Sequence, residues 1–290
     1  MPELPEVETI RRGLEPVLVG QRIQRVEQRR ADLRFPFPEN FGKRLTNRTV
    51  VSLQRRAKYM LAHLDDGTVL IIHLGMSGRI SIVGHGQLGQ FTHNQGNRDV
   101  HDHVVLRLAS GTEIVYNDPR RFGLMDLTTA AALDTHPLLA SIGIEPLGPD
   151  LTPEYLARQA AGRRSDLKSF LLDQRIIAGL GNIYVCEALF RAHLKPSRAA
   201  ACLATATGKP NARTAALIPR IKDVLNDAIA AGGSTLKDYT QADGSLGYFQ
   251  HSFHVYGREG EPCLTPACRG MVRRTVQAGR STFFCPVCQR

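Results

Sequence analysis

Residues 50–75 read VVSLQRRAKYMLAHLDDGTVLIIHLG, two short apolar runs flanking Asp66-Gly67. An Asp-Gly pair between strand-like runs is the signature of a tight hairpin turn. Residues 103–118, HVVLRLASGTEIVYND, repeat the pattern around Ser110-Gly111. Short strands therefore fill the stretch from about 21 to 127. Between them, the segment at 84–100, rich in Gly, Asn, Gln and His, reads as a polar loop with no assigned function. Ahead of the strands, Val7, Ile10, Leu14, Val17 and Leu18 recur at helical spacing with acids in the first turn and Gly20 just beyond, predicting a helix over 3–18. Beyond 130 strand patterns nearly vanish. Thr152-Pro153-Glu154 is a helix start, with a capping Thr and Pro in the first position. Ile221, Val224, Leu225, Ala228 and Ile229 form an apolar stripe closed by Gly232-Gly233, with Pro219 expected to kink or begin that helix. Ala199 to Pro210 reads as a loop.

The 290 residues suit two domains and a small module, and 42% hydrophobic residues exclude a disordered chain. No apolar run approaches the roughly 18 residues of a membrane span. The opening MPELPEVETI lacks the basic-then-apolar layout of a signal peptide, so a cytosolic protein is expected. The 37 Lys and Arg against 27 acids leave a net charge of +10. That field favours phosphates and serves solubility equally well.

Of six cysteines, Cys186 and Cys202 stand apart, and four crowd the tail as Cys263-x4-Cys268-x16-Cys285-x2-Cys288. Two close pairs flanking a hairpin-length stretch suit tetrahedral zinc. With all four positions filled by thiolates, the ion builds structure and has no open site for hydrolysis. The first knuckle has four intervening residues where two are commoner. Arg258, Arg269, Arg273, Arg274, Arg280 and Arg290 lie in or beside this module. They read either as a phosphate clamp or as a solvated basic face.

The start MPELPEVET and the end RSTFFCPVCQ resemble the bacterial formamidopyrimidine-DNA glycosylase family. So do RRAKYM at 55–60, HLGMSGR at 73–79, HDHV at 101–104, NDPRRFG at 117–123 and GLGNIYVCEALF at 179–190. The matches run in order along essentially the whole chain. The resemblance implies an α+β fold of two domains. Residues 1–130 would form an N-terminal catalytic β-sandwich with a leading helix, and 131–152 a linker. Residues 153–250 would form a helical helix-two-turn-helix DNA-binding domain, and 254–290 a C-terminal β-hairpin zinc finger.

It further implies a base-excision-repair enzyme that removes 8-oxoguanine and formamidopyrimidines from duplex DNA and then cleaves the abasic strand by β,δ-elimination. Met1 would be removed and Pro2 would be the nucleophile, a secondary amine that attacks the sugar and forms an imine. Glu3 would handle protons at the opening sugar and Glu6 would support it, although both also complement a helix N-terminus. Lys58 would assist β-elimination, and Arg280 would contact the lesion phosphate. Met76, Arg120 and Phe122 match a trio that fills the gap left by a flipped base. Met76 and Phe122 could otherwise be core. His101, Arg163, Lys168 and Asn182 match further DNA contacts, and 233–249 matches a loop over the flipped base. Cys263, Cys268, Cys285 and Cys288 would hold one structural Zn²⁺ per chain. The expected partner is damaged double-stranded DNA, bound by a monomer in the bacterial cytoplasm at the nucleoid. Two rivals share part of the pattern. An endonuclease VIII-like enzyme would share the chemistry but prefer oxidised pyrimidines, and a non-enzymatic zinc protein that binds nucleic acid would explain the charge and the cysteines.

Overall fold

The computed structural model describes residues 2–84, 99–234 and 247–290. The polar loop at 84–100 and the loop at 233–249 therefore fall largely outside the described residues. The elements in chain order begin with α1 (Leu4–Leu18), β1 (Ile23–Gln28), α2 (Phe41–Leu45), β2 (Val50–Arg56), β3 (Tyr59–Leu64) and β4 (Thr68–His73). There follow β5 (Arg79–Val83), β6 (Asp102–Leu108), β7 (Glu113–Asn117) and β8 (Leu124–Thr129). The helical part comprises α3 (Pro153–Ala160), α4 (Leu167–Leu172), α5 (Asn182–Arg191) and α6 (Ala212–Ala230), and the tail carries β9 (Arg273–Gln277) and β10 (Arg280–Phe284). No described helix is long and apolar enough to cross a membrane.

Two compact units emerge: residues 1–140 with 231–248, and 141–230 with 249–290. In the first, two four-stranded antiparallel sheets, ordered β1-β6-β7-β5 and β2-β3-β4-β8, share one apolar core. Val104, Leu106 and Tyr116 from one sheet meet Met60, Leu70 and Ile72 from the other, and Val7, Ile10 and Leu14 of α1 join them. This is a sandwich with a leading helix. Strand β4 is apolar on both faces: Leu70 and Ile72 lie in the shared core, and Val69 and Ile71 on the other face are buried as well. The Asp66-Gly67 turn joins β3 to β4, with Gly67 at φ +81°, and Thr68 N–H donates to Asp66 Oδ1 at 3.0 Å.

In the second unit α5 packs on α6, and α4 packs on α5. Thr152 caps α3 by accepting the Tyr155 N–H at 3.1 Å. Helix α6 begins at Ala212, so Pro219 sits inside it and does not start it. The start is fixed upstream by Asn211, whose Oδ1 accepts the N–H groups of Arg213 at 3.0 Å and Thr214 at 3.3 Å. Strands β9 and β10 form a hairpin whose two-residue turn, Ala278-Gly279, has both φ angles positive. Such a turn matches the right-handed twist of the strands.

Candidate functional site

Pro2 and Glu3 are buried at the start of α1, Glu3 in the N-cap position. Glu6, one turn on, is also buried, and both of its oxygens are engaged. Oε2 accepts the Glu3 N–H at 2.8 Å and Oε1 accepts the Ser234 N–H at 2.9 Å. One carboxylate thus fixes the chain at Glu3 and ties it to the residue that leads into segment 235–246.

Lys58 follows a strained turn. Ala57 between β2 and β3 has φ +54°, unusual for a residue with a Cβ. The turn is held by Arg55, whose Nη1 donates to the Ala57 carbonyl at 2.9 Å while Nε donates to Glu8 Oε2 at 3.1 Å. Glu8 lies on α1 and also takes bonds from Arg11 and Arg12. Burial raises its carboxyl pKa, but hydrogen bonds and charge from these arginines outweigh that and hold it below the ordinary range. The helix carrying Pro2 and Glu3 is therefore bonded to the turn carrying Lys58.

His73, which the sequence reading passed over, ends β4 opposite Tyr59 and packs against that ring at a tilt, with 4.8 Å between ring centroids. Its Nδ1 accepts the Gly75 N–H at 3.0 Å, which leaves the proton on Nε2. Burial, then the charges of Lys58 and Arg34, push its pKa down to about 4, so the ring is a neutral donor at pH 7. A polar residue closing the otherwise apolar strand TVLIIH was the available signal.

Met76 lies in the turn after β4 and Phe122 in the turn after β7, and both are substantially exposed, at 37% and 45%. The guanidinium of Arg120 sits 4.9 Å from the Phe122 ring centroid. These apolar side chains are tips, as their glycine-flanked turns suggested, and not core. His101 is half-buried, with its N–H on Asp99 Oδ1 at 3.0 Å and its ring edge-on to His103.

In the second unit Arg163 is exposed, with Nε donating to the Gln159 carbonyl. Lys168 is fully buried, and its Nζ donates to the Ser281 carbonyl at 3.0 Å and Thr282 Oγ1 at 2.7 Å. Asn182 Nδ2 donates to the same Ser281 carbonyl at 3.0 Å. These two residues converge on β10 directly beside Arg280, which is itself exposed at the head of the strand. Glu187 of α5 is buried and gathers the N–H groups of His254, Val255 and Tyr256, anchoring the approach to the tail. Burial raises its pKa, but the His254 ring and these N–H groups outweigh it and keep the carboxyl below its usual range.

The four tail cysteines place their sulfurs within 4.8 Å of one another. Cys263–Cys288 and Cys268–Cys285 Sγ pairs are both 3.7 Å apart, far too long for a disulfide. Tetrahedral zinc with bonds of about 2.3 Å sets a sulfur–sulfur edge of about 3.8 Å, so the cage fits the ion. Peptide N–H groups of Thr265 and Gly270 point at Cys263 and Cys268 sulfurs at 3.4 Å each, a polarity that suits thiolates. A Cβ on Gly270 would stand 2.5 Å from Cys285 Sγ, so the knuckle requires glycine.

A buried acidic helix start, a lysine turn bonded to that helix, two exposed turns tipped by Met76 and Phe122 and a four-cysteine hairpin are the features of a zinc-finger DNA glycosylase. Three family models match in succession: the formamidopyrimidine-DNA glycosylase N-terminal domain over residues 1–125, its H2TH domain over 142–240, and the zinc finger found in FPG and IleRS over 260–290. The chain is 60% identical to a formamidopyrimidine-DNA glycosylase of Azorhizobium caulinodans and 57% to one of Bradyrhizobium sp., covering all of both chains in each case. Among solved structures it resembles the Fpg protein of Thermus thermophilus, with 39% identity, TM-score 0.83, and coverage of 99% of this chain and 98% of that one. It also resembles Lactococcus lactis Fpg in complex with DNA containing an abasic site, with 34% identity, TM-score 0.85 and full coverage of both. The chain belongs to the formamidopyrimidine-DNA glycosylase family, enzymes that excise oxidised purines in base-excision repair and typically carry abasic-site lyase activity.

Proposed function

We propose that the protein, once Met1 is removed, excises 8-oxoguanine and formamidopyrimidines from duplex DNA with the Pro2 amine as nucleophile. The amine nitrogen bonds to the sugar C1′ as the bond to the damaged base breaks and the base leaves with a proton. An α-amino group titrates near roughly 8, so a neutral fraction exists at physiological pH. The attached nitrogen gives up its proton, and the C1′–O4′ bond breaks as O4′ is protonated. The iminium so formed withdraws electrons, so that C2′ loses a proton and the C3′–O bond breaks with the phosphate as leaving group. Glu3 exchanges protons with the opening sugar, Lys58 assists the elimination, and Arg280 holds the lesion phosphate through the second elimination. Met76, Arg120 and Phe122 occupy the space vacated by the flipped base. His101, Arg163 and Asn182 contact DNA, and Lys168 serves the same surface through the strand it holds. The four cysteines bind one Zn²⁺ per chain, and a monomer acts on damaged duplex DNA in the cytoplasm, at the nucleoid. The observation that carries this reading is the bonded link from the Pro2–Glu3 helix through Glu8 and Arg55 to the Lys58 turn. Borohydride trapping on a duplex with 8-oxoguanine opposite cytosine, followed by mass spectrometry of the linked peptide, tests it. A reduced adduct on Pro2 is expected. Zinc-loaded, Met1-processed protein that gives neither adduct nor strand cleavage would leave only a DNA-binding role.

A further inference from the structure

The two exposed turns are built on one buried carboxylate. Asp118, at the root of the Arg120–Phe122 turn, is fully buried. Its Oδ1 accepts the hydroxyl of Ser77, the neighbour of Met76, at 2.6 Å. Its Oδ2 accepts the Gly123 N–H at 2.8 Å and faces the Tyr116 hydroxyl at 3.5 Å. The Ser77 oxygen in turn accepts the Arg120 N–H at 3.1 Å. The main chain of Asp118 is committed as well. Its N–H donates to the His101 carbonyl at 3.1 Å, and its own carbonyl accepts from the Arg121 N–H at 3.2 Å and His103 Nε2 at 2.9 Å. We infer that Asp118 and Ser77 are positioning residues that lock the Met76 turn and the Arg120–Phe122 turn into one rigid wedge.

Two observations and a desolvation argument favour a lock over an ordinary core aspartate. The hydrogen-bond partners of the side chain are hydroxyls and a peptide N–H, so the buried charge is stabilised only if all of them stay in place. An apolar residue would fill such a space at lower desolvation cost, so what the carboxylate supplies is defined geometry. The backbones of the two turns also touch with no room for a side chain. A Cβ on Gly75, at φ +61°, would lie 2.3 Å from the Phe122 carbonyl carbon, and one on Gly123 would lie 2.7 Å from the His73 carbonyl oxygen. Side chains that must enter a base stack together gain from being held at one separation before binding.

This inference rests on the gap-filling reading of Met76 and Phe122, and the test separates the two. A duplex carrying a tetrahydrofuran abasic analogue, with 2-aminopurine in the opposite strand beside the orphan base, reports wedge insertion by fluorescence. Met76→Ala is expected to abolish the fluorescence change. Ser77→Ala and Asp118→Asn are expected to diminish and slow it while Met76 and Phe122 remain. The same two variants should lose about tenfold in excision of 8-oxoguanine from duplex, the scale of a lost hydrogen bond to a charged group. Cleavage of a preformed abasic site in single-stranded DNA, which has no stack to fill, should change by less than about twofold. Ser77→Ala carries the test should Asp118→Asn fail to fold. If Met76→Ala loses the signal and Ser77→Ala matches the wild type, the lock is overturned. If Met76→Ala leaves the signal intact, the gap-filling reading falls and the lock falls with it. Equal losses on duplex and single strand would mark a general folding role and overturn the positioning assignment.

Discussion

His73 titrates at about 4 in the folded chain against an ordinary value near 6.5, so between those two values the unfolded state binds the extra proton. Stability from this group is present above pH 6.5 and is lost as pH falls toward 4, by roughly 3 kcal/mol in all. Carboxylates such as Glu8 and Glu187, held below their ordinary range in the fold, also make stability fall as pH falls, so the clean quantity is the difference between wild type and His73→Gln. Urea unfolding across pH 4–7 should show a shallower slope for the variant; parallel slopes would mean the ring is not held neutral. A second residue-scale prediction concerns Arg55. Replacing it with Met removes the Arg55–Ala57 carbonyl bond that braces the positive-φ turn, which should lower stability by about 1–3 kcal/mol in thermal unfolding. Strand cleavage at abasic sites should fall with it, because Lys58 loses its fixed place. Sequence reading reached Lys58 only through family resemblance and missed His73, Arg55, Asp118 and Ser77 altogether. Their importance lies in bonds such as Ser77–Asp118, which span 41 positions of chain and leave no local pattern.

The hairpin tail shows what is legible in an element and what is not. Cysteine spacing alone predicted the cage, since thiolate ligands must come in close pairs to surround one ion. Periodicity likewise predicted α1 and the start of α3, where the apolar stripe and the capping Thr152 act locally. Alternation could not supply the strand order. It says which residues are covered, not which strand lies beside which, so the return of β8 to the edge of β4 came only from the fold. For a related reason Pro219 does not begin its helix. Its missing N–H costs one bond within α6, and burial of Leu217, Ile218, Ile221 and Val224 outweighs it. For the tail, Gly270→Ala should expel or distort the zinc site, because the added methyl would meet Cys285 Sγ and the Val287 side chain. Metal analysis is expected to show less than one zinc per chain and a weaker hold against chelators. Full retention would mean the knuckle shifts to accept the methyl.

At the scale of the whole molecule, a net charge of +10 predicts affinity for polyphosphate and is silent about where it is delivered. Many of the cations are already spent on the protein itself. Arg11 lies between Glu8 and Glu15, Arg107 between Glu27 and Glu113, and Arg191 faces Asp227 at 2.6 Å. Arg280 has no such ion pair among the described residues and stands exposed on a hairpin held by Lys168 and Asn182 through the Ser281 carbonyl. Phosphate contacts release counterions, so each one contributes about 0.9 to the slope of log affinity against log salt. Arg280→Ala should therefore weaken binding to an abasic-analogue duplex and lower that slope by about one. Arg220→Gln, which removes an exposed cation already paired with Asp223, should leave the slope unchanged. Fluorescence anisotropy over a salt series measures both. Equal slopes for Arg280→Ala and the wild type would show that the hairpin arginine does not touch phosphate. Equal drops for both variants would mean that overall charge, and not a placed contact, governs the binding.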